Sequence, residues 1–326
     1  MKKLLIMFLL SITIISCGSS DNSKKILKLS HNHANGYPVD LAYKRFAEII
    51  SNNSEGKYII EIYPSGQLGD QKASLELAKS DVLQFAHITT SVLENFDPIY
   101  SVFNLPYIFR SHDHYIKSMN SEKVNDVFEG SLDKGFITLI YIESGARNIY
   151  TKSKEINTPE DLRGLKIRVQ DSPTYVEMIK RLGATPVTLN FSEVYTSLQQ
   201  GVIDGAENNF PSFIEAGHAE VAKNFSVNEL TRSFDVLTVG APFWNSISEE
   251  DKEMFRNAAK EVEDYYAQLW AESENKNIER AKNEFNVKIV YPNLDPFMKL
   301  IEPMHTELAK KGKEYKDLID YIKSIE

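Results

Sequence analysis

Apolar and polar residues alternate just past residue 24, with Leu27 and Leu29 set against Ile26, Lys28 and Ser30, and this period of two predicts a strand. The spacing changes in "LAYKRFAEIISNNSEG", where Leu41, Phe46, Ile49 and Ile50 fall on one helical face that stops at Gly56. A second strand, "KYIIEIY", runs into a Pro-Ser-Gly turn, and "QKASLELAKSDVLQFAHITTS" reads as a helix followed by a strand. After it, "FNLPYIFRSHDHYIKSMN" reads as a loop leading into a helix, and "FITLIYIESGAR" as an apolar strand ending at Gly145.

From residue 158 one unit repeats. Thr158-Pro159-Glu160-Asp161 caps a short helix closed by Gly164, and the strand "LKIRV" follows. Asp171-Ser172-Pro173 opens a helix closed by Gly183, ahead of the strand "TPVTL"; "NFSEVYTSLQQG" is a helix closed by Gly201, and "VIDGAENN" a short strand and loop. Proline just inside each start and glycine just past each end match the unpaired N–H and C=O groups at the two ends of a helix. Strands alternating with helices of this length predict a mainly parallel sheet with helices on its faces. From Ser248 to about Asn283 there is neither Pro nor Gly, and Phe255, Ala259, Val262, Tyr266, Leu269 and Trp270 keep a helical stripe. At about 1.5 Å per residue that helix reaches about 50 Å, enough to brace two lobes.

The first seventeen residues stand apart from this pattern. Lys2 and Lys3 precede an apolar run from Leu4 to Ile15, shorter than the roughly 20 residues a membrane span needs. The run ends in Ile14-Ile15-Ser16-Cys17, which resembles the lipobox of bacterial lipoproteins. That resemblance implies a signal peptide over 1–17, a lipid on Cys17 and a polar tether over 18–25; an ordinary secretory signal with an incidental cysteine is the alternative. Cys17 is the only cysteine, so the sequence holds no intrachain disulfide, zinc-cysteine cluster or cysteine nucleophile.

A composition of 42% hydrophobic and 25% charged residues is that of a soluble globular chain, and a formal charge of −9 argues against nucleic acid as a partner. It leaves room for a small anion held by local arginines. There is no nucleotide-binding glycine loop, no G-x-S-x-G and no H-E-x-x-H, so no enzyme, cofactor or metal is expected. His31 and His33 in "SHNHAN" face one side of a strand, but two histidines without a third donor make a poor metal site. Arg168 lies near the carboxyl end of "LKIRV", beside a helix start, which is where ligands gather in doubly wound sheets. Arg147 follows another strand. A guanidinium fork pairs bidentately with a carboxylate; for Arg168 a structural salt bridge to a neighbouring helix is the alternative.

Residues 145–209, "GARNIYTKSKEINTPEDLRGLKIRVQDSPTYVEMIKRLGATPVTLNFSEVYTSLQQGVIDGAENN", closely resemble the solute-binding proteins of tripartite ATP-independent periplasmic (TRAP) transporters, the DctP-like family. "YPSGQLGD" at 63–70 and "FNLPYIF" at 103–109 extend the resemblance over essentially all of 26–326. It implies that Arg168 forms a bidentate salt bridge with the carboxylate of an organic acid, that Arg147 adds a second contact, and that Asn208 orients the carboxylate or Arg168. Phe191 packs on the ligand body, Asn32 is a polar contact flanked by His31 and His33, and Thr89, Thr90 and Ser91 supply further contacts. Relatives that bind sialic acid carry an acidic residue where Thr89 stands and an asparagine where Asp171 stands, so sialic acid is not the expected ligand. Asp171 either accepts from ligand hydroxyls or caps the helix at Ser172-Pro173.

The implied fold is α/β, a two-lobed periplasmic binding protein (type II-like) with a central cleft and a long helix along both lobes. Lobe I would take 26–145 plus 233–273, and lobe II 146–232 plus 274–326. The implied function is an extracytoplasmic receptor, monomeric and lipid-tethered, that delivers a small organic acid to a TRAP permease. "GARNIYTK", "IRVQDSP" and "GAENNFPSF" look most like relatives that take up hexuronates. A dicarboxylate or keto-acid receptor of the same fold, or a receptor for an ABC importer or a sensor kinase, is the alternative.

Overall fold

In a computed structural model, which describes residues 24–326, the strands are β1 (Lys25–Ser30), β2 (Tyr58–Tyr63), β3 (Phe85–Thr89), β4 (Phe136–Thr151), β5 (Lys166–Val169), β6 (Thr185–Thr188), β7 (Gly205–Asn208), β8 (Asn224–Gly240) and β9 (Lys288–Val290). They form one sheet in the order β2-β1-β3-β8-β4-β7-β5-β6, with β9 beside β8. The signal segment and Cys17 lie outside the described residues.

Two strands dominate. β4 and β8 hold 16 and 17 residues and pair antiparallel, from Phe136 opposite Gly240 at one end to Thr151 opposite Asn224 at the other. One end of this ladder carries β1, β2 and β3; the other carries β5, β6, β7 and β9. The molecule is therefore two α/β lobes threaded on two shared strands. The expected strand end at Gly145 is wrong: β4 continues to Thr151. Gly145 instead sits at a register shift between Glu143 and Ala146, with φ 66°, a left-handed conformation that favours glycine. The sheet is mixed rather than mainly parallel, because β3, β4, β7 and β8 meet antiparallel.

Helices cover both faces. Helix α1 (Pro38–Asn53) has proline at its first turn and buries Val39, Ala42, Tyr43, Phe46, Ile49 and Ile50. Beside it Phe85, Phe243 and Phe255 pack with ring centroids 5.6–5.8 Å apart, within the range of favourable aromatic pairs. The long helix runs from Glu249 to Asn283, as its lack of breakers predicts, and Ser248 caps it by accepting from the Asp251 N–H. It packs on α1, on β4 and on the short helix Phe210–Glu215, so it touches both lobes. On the opposite face one apolar cluster runs from Leu75 and Phe103 to Ile167 and Phe297.

The C-terminal segment is shared too. Asp295–Ile301 packs on the helix Pro173–Arg181, but Lys313–Ser324 packs on Pro98–Val102, and Arg110 donates to the Lys323 carbonyl at 2.9 Å. The last helix, within the 274–326 segment expected in lobe II, thus packs both on Pro303–Ala309 and on residues expected in lobe I, and its Leu318, Ile319 and Ile322 join the cluster on that face.

Candidate functional site

Arg168 projects from β5, between Val187 of β6 and Ala206 of β7, and is only 2% exposed. Its Nε and Nη2 donate to the Leu189 carbonyl at 2.9 and 2.8 Å, which fixes the plane of the fork. Nη1 is buried without a partner. Burial pushes the guanidinium pKa down to about 10, so it stays cationic at neutral pH.

The fork faces a cleft with two connected chambers. The outer one, about 290 Å³, lies between Asn32, Gln71 and Lys72 on one side and Arg168, Gln170 and Asp171 on the other. The inner one, about 20 Å³, is lined by His33, Tyr37, Thr89, Arg147, Asn208, Asp235 and Trp270; Asn32, Gln170 and Phe191 line both. Four buried polar atoms around these chambers have no hydrogen-bond partner among the described residues: Arg168 Nη1, Asn32 Oδ1, Asp235 Oδ1 and Trp270 Nε1. An unmade buried hydrogen bond costs about 1–3 kcal/mol. Four in one cavity mark a surface that a polar ligand completes.

Arg147, on β4, is already paired. Its Nη2 donates to Glu207 Oε1 and to the Glu207 carbonyl, both at 3.0 Å, and its guanidinium lies 5.9 Å from the Tyr175 ring. Burial works against its charge, but the Glu207 carboxylate outweighs this and holds the pKa above the usual arginine range. The Arg147–Glu207 pair is neutral in sum and Asp235 adds a carboxylate to the inner chamber, so Arg168 is the buried cation left to meet a ligand carboxylate. β7 brings Glu207 this close because Gly205 has no side chain: a Cβ there would lie 2.4 Å from the Tyr150 carbonyl oxygen.

His33 stacks on Tyr37 with ring centroids 4.3 Å apart and meets His87 edge-on at 5.3 Å. Burial, with His87 nearby, holds its pKa well below the ordinary value, so it is neutral. His87 Nδ1 is 2.7 Å from the Tyr43 hydroxyl, and its Nε2 is 3.3 Å from Asp235 Oδ2. His33, His87 and Asp235 offer ligand atoms within 4.8 Å of one another. Tetrahedral zinc, with bonds of about 2.0–2.1 Å, needs them about 3.3 Å apart. His87 Nδ1 bonds the Tyr43 hydroxyl, and its Nε2, near Asp235, has no hydrogen-bond partner among the described residues.

Outside the cleft a second buried carboxylate joins the lobes. Glu94, after β3, accepts at Oε1 from Ser172 Oγ at 2.6 Å and the Thr174 N–H at 2.9 Å. Its Oε2 accepts from Thr174 Oγ1 at 2.8 Å and Asn104 Nδ2 at 2.9 Å.

Residues 29–311 match the family described as bacterial extracellular solute-binding protein, family 7 (DctP). The chain belongs to the DctP family. Its sequence is 32% identical over 295 residues to an uncharacterised protein, YiiZ, of Salmonella typhimurium, covering 90% of each chain. Its fold matches a TRAP periplasmic solute-binding protein of Anaerococcus prevotii with bound D-glucuronate at TM-score 0.90 and 34% identity, over 93% of this chain and 98% of that one. A second TRAP solute-binding protein, from Xanthobacter autotrophicus with bound β-D-galacturonate, matches at TM-score 0.89 and 31% identity, over 92% and 100%. As a DctP-family protein the chain is an extracytoplasmic transport receptor, not a catalyst.

Within this DctP receptor, Arg168, Arg147, Asn208, Phe191, Asn32, His33 and Thr89 all line the cleft, as the sequence leads one to expect. Three expected contacts stand elsewhere, and a fourth, Asp171, lines the outer chamber alone. His31 turns behind the cleft, with Nε2 3.3 Å from Asp40 Oδ1. Thr90 is fully buried at the start of the short helix Thr90–Leu93 and donates to Asn104 Oδ1 at 2.9 Å. Ser91 is also fully buried and donates to the Gln170 side chain, holding a cleft residue instead of lining the cleft. Asp171 reaches only the outer rim: its side chain is 49% exposed and 3.7 Å from Lys72 Nζ, and the helix cap is Ser172, not Asp171. Asp235, Glu207, Gln170, Gln71, Tyr37 and Trp270 are cleft or cleft-pairing residues absent from the sequence expectation. Only Asp235, a lone acid in the apolar run "FDVLTVG", left a visible signal.

Proposed function

We propose that this protein captures a hexuronate, such as D-glucuronate or D-galacturonate, and hands it to a TRAP membrane permease. The buried, unpaired Nη1 of Arg168 carries the proposal. With Nε and Nη2 anchored on Leu189, the Nη1–Nη2 edge is left for a bidentate carboxylate, while the Arg147–Glu207 pair adds polarity without further net charge. Phe191 offers its ring to the ligand body, and Asn208, Asn32, His33 and Thr89 offer polar contacts. The bound sugar acids of the two structural relatives support the same class. The lobes would divide as 26–145 plus 233–273 and 146–232 plus 274–312, with Lys313–Ser324 docked back on the first. We place the receptor as a monomer tethered by a lipid on Cys17.

The test is calorimetry on protein stripped of resident ligand by unfolding and refolding. Wild type should bind a hexuronate. Arg168→Ala should lose about 2–5 kcal/mol, the cost of leaving a buried ligand charge unpaired, and Arg168→Lys should also bind weakly because one ammonium does not reproduce the fork. Near wild-type affinity in either folded variant overturns the clamp. Binding of succinate or a keto acid with no hexuronate overturns the ligand class.

A further inference from the structure

We propose that Asp235 and Trp270 form a hydroxyl-reading subsite, which selects polyhydroxy acids over dicarboxylates and keto acids. The inference rests on the reading of Arg168 as the carboxylate clamp and concerns the rest of the ligand.

Asp235 lies on β8, 4% exposed, with both carboxylate oxygens accounted for differently. Asp235 lines the inner chamber; Oδ2 lies 3.3 Å from His87 Nε2, and Oδ1 is buried without a hydrogen-bond partner. The direction of the chain behind it is set by elimination. If His87 carried its proton on Nδ1, towards Tyr43, the lone pair of Nε2 would face the Asp235 carboxylate. With the Tyr43 hydroxyl donating to Nδ1 at 2.7 Å, the ring proton sits on Nε2, which lies 3.3 Å from Asp235 Oδ2 without making a hydrogen bond to it. Burial raises the Tyr43 pKa well above its ordinary value, so that hydroxyl keeps the proton it donates. Asp235 Oδ1 has no donor within the described residues and asks the ligand for one.

Trp270 asks for the reverse. Its indole Nε1 donates only, is buried without a partner, and lines the same chamber. The ring is fixed by stacking on Tyr266 at 5.9 Å. Asn32 Oδ1 adds a second unpaired acceptor. A hydroxyl group both donates and accepts, so adjacent sugar hydroxyls meet all three demands. A second carboxylate or a keto oxygen has no proton for Asp235 or Asn32, and a second carboxylate is repelled by Asp235. The selecting carboxylate is thus Asp235 in the interior, not Asp171 at the rim.

Titration calorimetry with D-glucuronate and its ring-sized, hydroxyl-free counterpart cyclohexanecarboxylate tests this, with succinate and pyruvate as further ligands. Wild type should bind glucuronate far more tightly than the other three. Asp235→Asn and Trp270→Phe should each weaken glucuronate about tenfold or more, as loss of a buried hydrogen bond to a charged or fixed partner does, and leave cyclohexanecarboxylate nearly unchanged. Apo melting temperatures check that the variants fold. If wild type binds glucuronate and both folded variants match it, the hydroxyl subsite is overturned while the carboxylate clamp stands. If wild type prefers succinate, both readings fall. If glucuronate binding is lost in EDTA and restored by calcium or zinc, the His33–His87–Asp235 cluster is a metal site and the hydrogen-bond reading is overturned.

Discussion

Glu94 offers a way to weigh how much of the closed form is held by contacts that never touch ligand. It accepts four hydrogen bonds, three of them from Ser172 and Thr174 across the gap between the lobes. In Glu94→Gln the amide oxygen can still serve Ser172 and the Thr174 N–H. The new NH₂ then faces Asn104 Nδ2, another donor, and Thr174 Oγ1 loses its anionic acceptor. Bonds to a charged group are worth about 1.5–3 kcal/mol each, so losing the equivalent of one sets a cost of about 2 kcal/mol. If that cost falls on the closed state alone, the apparent dissociation constant rises about thirtyfold, since 1.4 kcal/mol is tenfold. Glu94→Ala, which strands all four donors, should weaken binding further. Calorimetry gives the affinity and apo melting the stability; a latch lowers affinity and leaves the apo transition near wild type. Glu94→Gln with affinity within twofold of wild type and a lowered apo melting temperature would show that Glu94 is only a helix cap, and refute the latch.

Gly145→Ala places a Cβ 3.1 Å from Trp270 Cζ2 at a positive φ, and should cost about 1–2 kcal/mol from backbone strain, seen as a melting temperature a few degrees lower together with weaker ligand binding. Acid should destabilise the fold through its buried histidines: burial lowers His31 to about 4 and His218 to about 3, against 6.5 when unfolded. The unfolded chain then takes up protons first, so their contribution is complete above pH 6.5 and is lost as pH falls from 6.5 towards those values. Glu263, raised by burial to about 7, opposes this between pH 4.5 and 7. Melting curves should still shift downward over that interval, and His218→Gln should flatten the slope; an unchanged slope would remove His218 from the account.

Sequence made local things legible and long-range ones less so. Helix boundaries followed from chemistry at single positions, such as Ser248 and the breaker-free run to Asn283, or Gly201 at φ 74°. Arg168 stood out because a strand end followed by a helix start places it at the cleft, whereas Arg147 lies mid-strand on β4 and stood out through the family resemblance. β8 did not stand out, because a strand paired on both sides and crossing two lobes carries Asn, Glu, Arg and Asp where an ordinary core strand alternates. With β8 unseen, the pairing of Asp235 with His87 was invisible. Trp270 read as one more apolar position on a helical stripe, since periodicity does not show which stripe residue reaches a cavity. Arg147 looked like a second clamp because its partner, Glu207, lies sixty residues away.

The two shared strands also decide where binding can do mechanical work. Any swing of one lobe against the other must flex β4 and β8 together, a doubled spring with a restoring force rather than a slack joint. Ser144, Arg147 and Asp235 sit on those strands, at the fulcrum. Arg168, on β5, and Asn32, just past β1, sit on the arms. A ligand gripped at the fulcrum gains affinity but little leverage; a ligand gripped on the arms supplies the torque that bends the spring. On the proposed reading, a carboxylate at Arg168 and a group met by Asn32 would set how far the jaws travel, while the contacts along β4 and β8 would set which molecule is worth travelling for.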